Sequence, residues 1–242
     1  MKNLFRYILI PVMAFSFFSC KKDNYSQPGA FLTGAILYNN DTIYVERNQV
    51  PYQLYQYGFG KVGQIGSNTT FEQNGSYSQA LFNGDYKLII PNGQGPFMWK
   101  QDASGNPDSL SITLKGNQTV NLEVTPYYMV RNATFSYSSS DSMITASFKA
   151  EKIITDAVNA KDIERVSLYI NKTNFVSGGD NIAFTDMAGG AIADPDNITL
   201  KVQIPFLDPK FATTQNYIFA RVGIKIVNVE DMIFSPLQKI SL

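Results

Sequence analysis

Histidine is absent from the 242 residues, and cysteine occurs once. Without histidine the chain cannot build the Ser-His or Cys-His nucleophile systems, and it lacks the usual ligand of zinc and iron sites. With one cysteine it cannot form an internal disulfide, so its stability has to come from packing. An enzyme of this composition would have to use carboxylates, lysine, tyrosine or serine. We expect no cofactor and no metal.

Charge is also scarce, and it is balanced. Charged residues make up 17% of the chain, against about 25% in an average globular protein. The 20 basic residues match the 20 acidic ones, and a chain without a basic excess is not expected to bind nucleic acid. The residues that are plentiful are hydrophobic (44%) and aromatic (13%), with 17 glycines and 11 prolines. This composition indicates a β-rich extracellular chain with frequent turns.

The single cysteine, Cys20, stands where an apolar run ends and a charged run begins. Residues 7–18 are too few to span a bilayer, which needs about 20 apolar residues, but they are typical of a secretory signal. Ser19 is the small residue expected before a cleavage site, although Phe17 stands where such sites usually have leucine. We therefore predict a lipoprotein signal peptide over residues 1–19 and lipidation of Cys20. The alternative is a lone core cysteine behind an ordinary signal peptide.

Cleavage before Cys20 would remove two basic residues and no acid. The remaining 223 residues (242 − 19) would carry 18 basic and 20 acidic groups, a formal charge of −2. Residues 20–29 are polar and end in Pro-Gly, which predicts a lipidated tether at a membrane surface. The length beyond the tether suggests two domains, since domains typically have about 100–150 residues.

Residues 30–125 have the pattern of a first β-sandwich, in which short apolar-alternating segments are separated by turn residues. Gly75 and Gly84 each follow an asparagine, and glycine permits the positive φ of tight turns. Tyr77 and Leu88 alternate with polar neighbours, which predicts that they point into a core.

Two runs within this segment, 71–77 and 81–88, resemble the transthyretin-like (prealbumin-like, or carboxypeptidase regulatory-like) β-sandwich. In that fold an F-x-x-N/D-G-x-F/Y hairpin is followed by L-x-x-G-x-Y, and Gly34 after Leu32 and Thr33 matches its opening pattern. The resemblance implies the same sandwich here.

Pro126 is the predicted boundary of a second domain, over residues 126–242. Segments 163–170 and 198–204 alternate as strands, and 177–197 is expected to be a long loop. About six strands without a helical period predict an immunoglobulin- or fibronectin-like sandwich. The predicted fold class is therefore all-β, with two tandem β-sandwiches.

The whole chain resembles an uncharacterised family of Bacteroidota outer-membrane lipoproteins. The resemblance covers the signal, residues 20–25, 32–34 and 124–127, and the sandwich signature. It implies an outer-membrane location and a genetic neighbourhood of TonB-dependent receptors and SusD-like lipoproteins, which are the partners we expect. Lysine and an acid after Cys20 are a partial match to the family's surface-export signal, so we expect the cell surface, with a periplasm-facing location as the alternative.

Glycan binding is the main functional hypothesis, because sugar sites pair an exposed ring with amide or carboxylate groups. Trp99 is the only tryptophan, and it follows Phe97 in a loop beside Lys, Gln and Asp. Tyr55 and Tyr57, with Phe59 and two glutamines nearby, form the second candidate. The alternative is that these rings are packed in the core or between the domains.

Other candidates carry less specific chemistry. The acids Asp102, Glu151 and Glu164 could serve glycoside hydrolysis only if two of them faced each other across a cleft. Asp180, Asp186, Asp194 and Asp196 could supply oxygen ligands to calcium, although a solvated loop is the simpler interpretation.

Three segments match the D-S/T-apolar motif of Bacteroidota O-glycosylation, and the acceptors would be Thr42, Ser109 and Ser142. All three lie beside predicted turns, which suits a modified surface.

The sequence thus predicts a non-catalytic, lipid-anchored protein that acts as an accessory glycan-binding component of a polysaccharide-utilisation (Sus-like) system. The alternatives are a structural docking spacer that does not touch sugar and, with weaker support, a histidine-free hydrolase.

Overall fold

The computed structural model describes residues 27–57, 63–64, 69–205 and 215–242. The predicted signal peptide, Cys20 and most of the tether lie outside these residues. So do Phe59 and the side chain of Tyr57.

Almost all of the regular structure in the described chain is β-strand. The strands of the first half are β1 (Ala30–Tyr38), β2 (Asp41–Thr42), β3 (Gln53–Tyr57), β4 (Gly63–Gln64), β5 (Ser76–Leu81), β6 (Gly84–Ile89), β7 (Phe97–Met98), β8 (Leu110–Leu114), β9 (Gln118–Thr119), β10 (Leu122–Glu123) and β11 (Thr125–Pro126). Those of the second half are β12 (Tyr128–Ser138), β13 (Met143–Lys152), β14 (Ile163–Asn171), β15 (Ala183–Ala188), β16 (Ile198–Gln203), β17 (Tyr217–Ile226), β18 (Ile233–Phe234) and β19 (Gln238–Ser241).

The only helical element among the described residues is a 3₁₀ turn, Gly189–Ala191. No helix in this part of the chain has the length and apolarity to cross a membrane.

The first sandwich has two layers around a buried aromatic core. In one layer β1 pairs with β5, β9, β10 and β2, and in the other the order is β4-β3-β6-β8. Tyr77 and Leu88 are 3% and 0% exposed, as the alternation predicted. Tyr77 lies 5.3 Å from the ring of Tyr52, between the layers. Gly75 has a φ of +74° and passes close to the carbonyl of Ile43, so glycine is required at this turn.

The second sandwich places β12-β13-β16 against a layer in which β14 lies between β15 and β17, while β18 and β19 both pair with β17. Its alternating strand β16 buries one face against the core, as predicted. Residues 177–197 are not a continuous loop, because β15 pairs with β14 over six residues inside that segment. The fold class is therefore confirmed as two tandem β-sandwiches, and the loop prediction is wrong at β15.

The two sandwiches meet across the outer face of the second one. A small cluster of Tyr169, Val176, Met232 and Phe234 packs there, with Tyr44 of the first sandwich against it. The Phe234 amide donates to the carbonyl of Tyr44 at 2.9 Å, so the junction contains backbone pairing as well as apolar contact.

Candidate functional site

Trp99 and Phe97 are part of the packed interior of the first sandwich. Trp99 is 6% exposed and Phe97 is 3% exposed. The indole Nε1 of Trp99 donates to the carbonyl of Asp108 at 2.7 Å, which fixes the ring. A sugar platform needs a free ring face, so the expectation of an exposed ring at either position is wrong. The packing alternative holds for both residues.

The polar residues that follow Trp99 hold their own loop together. Lys100 forms an ion pair with Asp108 at 3.2 Å. The Asp102 carboxylate accepts hydrogen bonds from the amides of Ser104 and Asn106 at 2.8 and 2.9 Å. The bonds from Asn106 and Ser104 lower the pKa of Asp102 below its usual value. These groups already form the bonds that stabilise their own loop.

Tyr55, in contrast, lies on the outer face of the layer β4-β3-β6-β8. Its neighbour Leu54 is fully buried, whereas the Tyr55 side chain is half-buried and its hydroxyl donates to Gln53 Oε1 at 2.9 Å. Tyr55 pairs across the sheet with Lys87, and Lys87 pairs with Ser111. Since neighbouring strands are about 4.8 Å apart, this row extends over about 10 Å.

A shallow groove of about 360 Å³ lies over β6 and β8, beside Tyr55. Asp85 and Thr113 line it next to Lys87 and Ser111, and the Thr113 hydroxyl donates to Asp85 Oδ1 at 2.7 Å. We call the outward-facing set the polar face; its members are Gln53, Tyr55, Asp85, Lys87, Ser111 and Thr113. It brings together one phenol ring, an amide, a carboxylate, an ammonium group and two aliphatic hydroxyls.

Sequence reasoning placed Tyr55 among its candidates, with Gln53 nearby, but did not group them with the other members of the polar face. They lie on three strands and become neighbours only through the strand register. The signal that could have found them is the alternation of β6 and β8, in which Asp85, Lys87, Ser111 and Thr113 occupy every second position.

A second cavity, of about 210 Å³, lies at the junction of the two sandwiches. Arg131 lines it and bonds to Asp41, while its Nε donates to Glu151 Oε2 at 2.7 Å. The bond to Glu151, followed by that to Asp41, raises the pKa of Arg131 against the opposing effect of burial. The two carboxylates therefore lie on either side of one guanidinium.

This pair of carboxylates does not have the arrangement of a glycosidase. The two acids of such a pair flank the bond to be cleaved, whereas Asp41 and Glu151 flank the guanidinium of Arg131. Of the other candidate acids, Glu164 bonds to Arg165 at 2.8 Å and Asp102 is used by its own turn. Each of the three predicted acids is therefore engaged by a partner other than a second carboxylate.

Two of the four aspartates proposed as calcium ligands are paired with basic side chains. Asp186 lies 3.8 Å from Arg165, and Asp196 lies 2.9 Å from Lys149. Within the described ranges, no three acidic, histidine or cysteine side chains converge as a metal site would require.

The three candidate O-glycosylation residues are all partly exposed, and each lies at or beside a turn or a strand end. Thr42 lines the junction cavity next to Asp41, which is bonded to Arg131. Ser142 has a φ of +54° in the turn between β12 and β13. Ser109 precedes β8, and its carbonyl accepts a bond from Lys100 at 3.0 Å. Their modification remains a prediction.

Comparison with known proteins identifies two family matches. The N-terminal domain of DUF3823, a protein family of unknown function, matches residues 30–125, and the DUF3823 C-terminal domain matches residues 128–239. Among curated proteins no sequence matches the chain significantly.

Solved structures agree with these matches. A DUF3823 family protein from Parabacteroides merdae is 29% identical, with a TM-score of 0.73, over 89% of this chain and 100% of that one. One from Bacteroides ovatus is also 29% identical, with a TM-score of 0.72, over 88% and 99%. A protein from Bacteroides uniformis described as a "putative carbohydrate binding protein" is 17% identical, with a TM-score of 0.66, over 89% and 100%.

Proposed function

This chain belongs to the DUF3823 family, and from that premise we propose that it is a non-catalytic, lipid-anchored glycan-binding protein of the bacterial cell surface. Its role would be accessory capture of glycan in a polysaccharide-utilisation system, beside a TonB-dependent receptor and a SusD-like lipoprotein. The observation that carries the proposal is the polar face, where the ring of Tyr55 lies next to both hydrogen-bond donors and hydrogen-bond acceptors.

The chemistry of the polar face suits a sugar. A pyranose presents apolar C–H groups to a ring, and its hydroxyls both donate and accept hydrogen bonds. Asp85 and the Gln53 amide oxygen can accept such bonds, and Lys87 and the Gln53 amide nitrogen can donate them. The groove of about 360 Å³ falls at the lower end of the range of ligand pockets, about 300–1,000 Å³. Its shallow shape is better suited to an extended chain that lies along the surface than to a small molecule enclosed in a cavity.

Two further points support this ligand class. The partly exposed tyrosine has the amphipathic character common in recognition surfaces, with a ring for apolar contact and a hydroxyl already oriented by Gln53. The Bacteroides uniformis protein of the same fold is described by the same ligand class.

Affinity electrophoresis tests the proposal. Residues 21–242 are run through native gels that contain members of a polysaccharide panel, beside Tyr55→Ala and Tyr217→Ala. Tyr217 is the matched control, because it is also a half-buried strand tyrosine but lies in the second sandwich. We expect one glycan to retard the parent and Tyr217→Ala and to lose its effect on Tyr55→Ala. Equal retardation of all three would exclude the polar face as the site.

The docking spacer is the second candidate, and the bonded, packed junction between the sandwiches favours it. Hydrogen bonds, a β-bridge and an apolar cluster fix the two domains against each other, as a spacer would require. If no glycan in a broad panel retards the protein, capture of the TonB-dependent receptor or the SusD-like lipoprotein by the full-length chain would support this alternative.

A further inference from the structure

Two strongly exposed phenylalanine rings lie at one end of the first sandwich. In the part of the chain that the structure describes, three phenylalanines are strongly exposed: Phe31 at 48%, Phe82 at 42% and Phe184 at 56%. Ala30 pairs with Leu81 across β1 and β5, so Phe31 and Phe82 directly follow the two members of one cross-strand pair. Phe82 is the first residue beyond β5, and if the alternation continues by one position it lies on a diagonal from Phe31 on the same face, where side chains are within reach of each other at roughly 7–8 Å.

This end of the sandwich is held together by side-chain contacts to the backbone. The Phe31 amide donates to Asn117 Oδ1 at 3.0 Å, and the Gly116 amide donates to Asn83 Oδ1 at 2.7 Å. The turns after β5 and after β8 therefore lie together with the start of β1. Lys115, in the second of these turns, is exposed. We call the set Phe31, Phe82 and Lys115 the aromatic pole.

The chain that leads back to Cys20 enters the structure at the aromatic pole. Gln27 is the first described residue and lies seven positions after Cys20. A fully extended chain covers at most about 3.6 Å per residue, so a lipid on Cys20 would lie within about 25 Å of Gln27. Phe31 is only four residues further along. A bilayer that holds the lipid is therefore within reach of these two rings.

We propose that the aromatic pole is a membrane-contact surface, on which the first sandwich rests against the lipid that anchors Cys20. The inference depends on the lipid anchor of the proposed function. Phenylalanine rings enter the boundary between headgroups and acyl chains, and a lysine beside them can extend to anionic headgroups. Exposed rings in water would otherwise leave apolar surface uncovered.

The contact would fix the orientation of the whole molecule. β1 runs from the pole to Tyr38, which pairs with Asp41, and Asp41 bonds to Arg131 of the second sandwich. Nine residues of strand extend over roughly 26 Å. The second sandwich is thus attached at the end of β1 remote from the membrane.

Nitroxide quenching tests this surface. The full-length chain is expressed in a bacterium that lipidates it, purified in detergent and reconstituted into phosphatidylcholine vesicles that contain doxyl-labelled phosphatidylcholine. Phe31→Trp, Phe82→Trp and the control Phe184→Trp each add one reporter, and the emission of the parent chain, which comes from Trp99, is subtracted. We expect the two pole reporters to shift to shorter wavelength and lose emission to the doxyl lipid, while Phe184→Trp is unaffected.

The outcomes separate the inference from the proposal beneath it. Vesicle flotation shows whether the chain is anchored, and failure to float would overturn both the anchor and the contact surface. Flotation with equal quenching at all three positions, or with none, would overturn the contact surface and leave the anchor standing. The emission of a pole reporter could instead change with protein concentration and not with doxyl lipid. That result would show that a second copy of the chain covers the rings, and it would also overturn the membrane-contact surface.

Discussion

Arg221 of the second sandwich donates a hydrogen bond from Nη2 to the carbonyl oxygen of Val45 in the first, at 3.2 Å. The same guanidinium reaches the carbonyls of Gln73, Val176 and Ser235 at 3.2–3.3 Å. Arg221 is 1% exposed, and burial lowers its pKa to about 9, which still leaves it charged at neutral pH. A buried cation is thus satisfied mainly by carbonyl oxygens from both domains, and it fixes their relative position.

Replacing Arg221 with methionine should destabilise the junction. The side chain keeps much of its volume, but carbonyl oxygens of both sandwiches lose their donor inside the interface. We expect a loss of at least about 1–3 kcal/mol, the cost of leaving one buried acceptor without its donor. Urea unfolding followed by fluorescence and by circular dichroism would measure it, and the two probes should separate into two transitions.

Two further variants serve as comparisons for Arg221→Met. Arg221→Lys keeps the charge but not the fork of donors, so its stability should lie between the parent and Arg221→Met. Lys239→Met removes a cation that lies over the Tyr217 ring at the surface, and its effect should stay within about 0.5 kcal/mol. Coincident and unshifted transitions in Arg221→Met would contradict the role assigned to the arginine.

Gly34→Ala should destabilise the first sandwich although no contact is removed. A Cβ at Gly34 would lie 1.9 Å from the Val120 carbonyl oxygen and 2.8 Å from the Tyr77 ring. The backbone of β1 would have to move away, which costs about 1–3 kcal/mol or more. Thermal unfolding measures the change. Gly29→Ala is the matched control, since nothing lies within 4 Å of its added Cβ, and a comparable loss in that variant would refute the steric explanation.

Asp231→Asn should stabilise the protein at neutral pH. Burial raises the pKa of Asp231, whose Oδ2 accepts a bond of 3.2 Å from the Gly95 amide across the junction. Between the ordinary value of 3.8 and the raised value, the folded state binds more protons than the unfolded state. Stability is therefore lost as the pH rises through this window. At pH 7 the ionised carboxylate lowers the free energy of unfolding.

Urea midpoints measured from pH 4 to pH 8 would show the effect. The decline of stability with rising pH should be smaller in Asp231→Asn than in the parent, because asparagine keeps the acceptor for Gly95 without a charge. Glu123→Gln, at an exposed carboxylate, should leave the profile unchanged. A neutral variant that is less stable than the parent at pH 7 would show that the ionised carboxylate contributes to folding.

The sequence was informative wherever structure is decided by near neighbours. Gly75 in its turn and the burial of Tyr77 and Leu88 follow from turn chemistry and from a period of two, both of which act over a few residues. The prediction of a loop was wrong at β15 because local pattern does not decide the structure there. Its alternation is weak, with only Phe184 and Met187 as large apolar residues, and it becomes a strand because β14 offers it an unpaired edge.

The candidate site depended on information that a single segment does not contain. The sequence predicted Trp99 in a polar loop, but the indole is buried and donates to the carbonyl of Asp108, nine residues later. Tyr55 was recognisable as a candidate, whereas its partnership with Lys87 and Ser111 requires the register of three strands. Residues that meet only through tertiary pairing cannot be grouped from their order along the chain.

Variants of Trp99 and Tyr55 should separate stability from binding. Trp99→Phe keeps a ring in the core but leaves the Asp108 carbonyl without its donor, so we expect a loss of about 1–3 kcal/mol. Trp99→Ala should cost about 3–5 kcal/mol, as for other buried aromatic residues. Neither variant removes a group from the polar face. Trp99→Phe, measured where it is fully folded, should therefore be retarded by the same glycan as the parent, while Tyr55→Ala should fold normally and lose retardation. If Trp99→Phe folds but is no longer retarded, and Tyr55→Ala still is, the binding site lies at the Trp99 loop and the polar face is only a solvated surface.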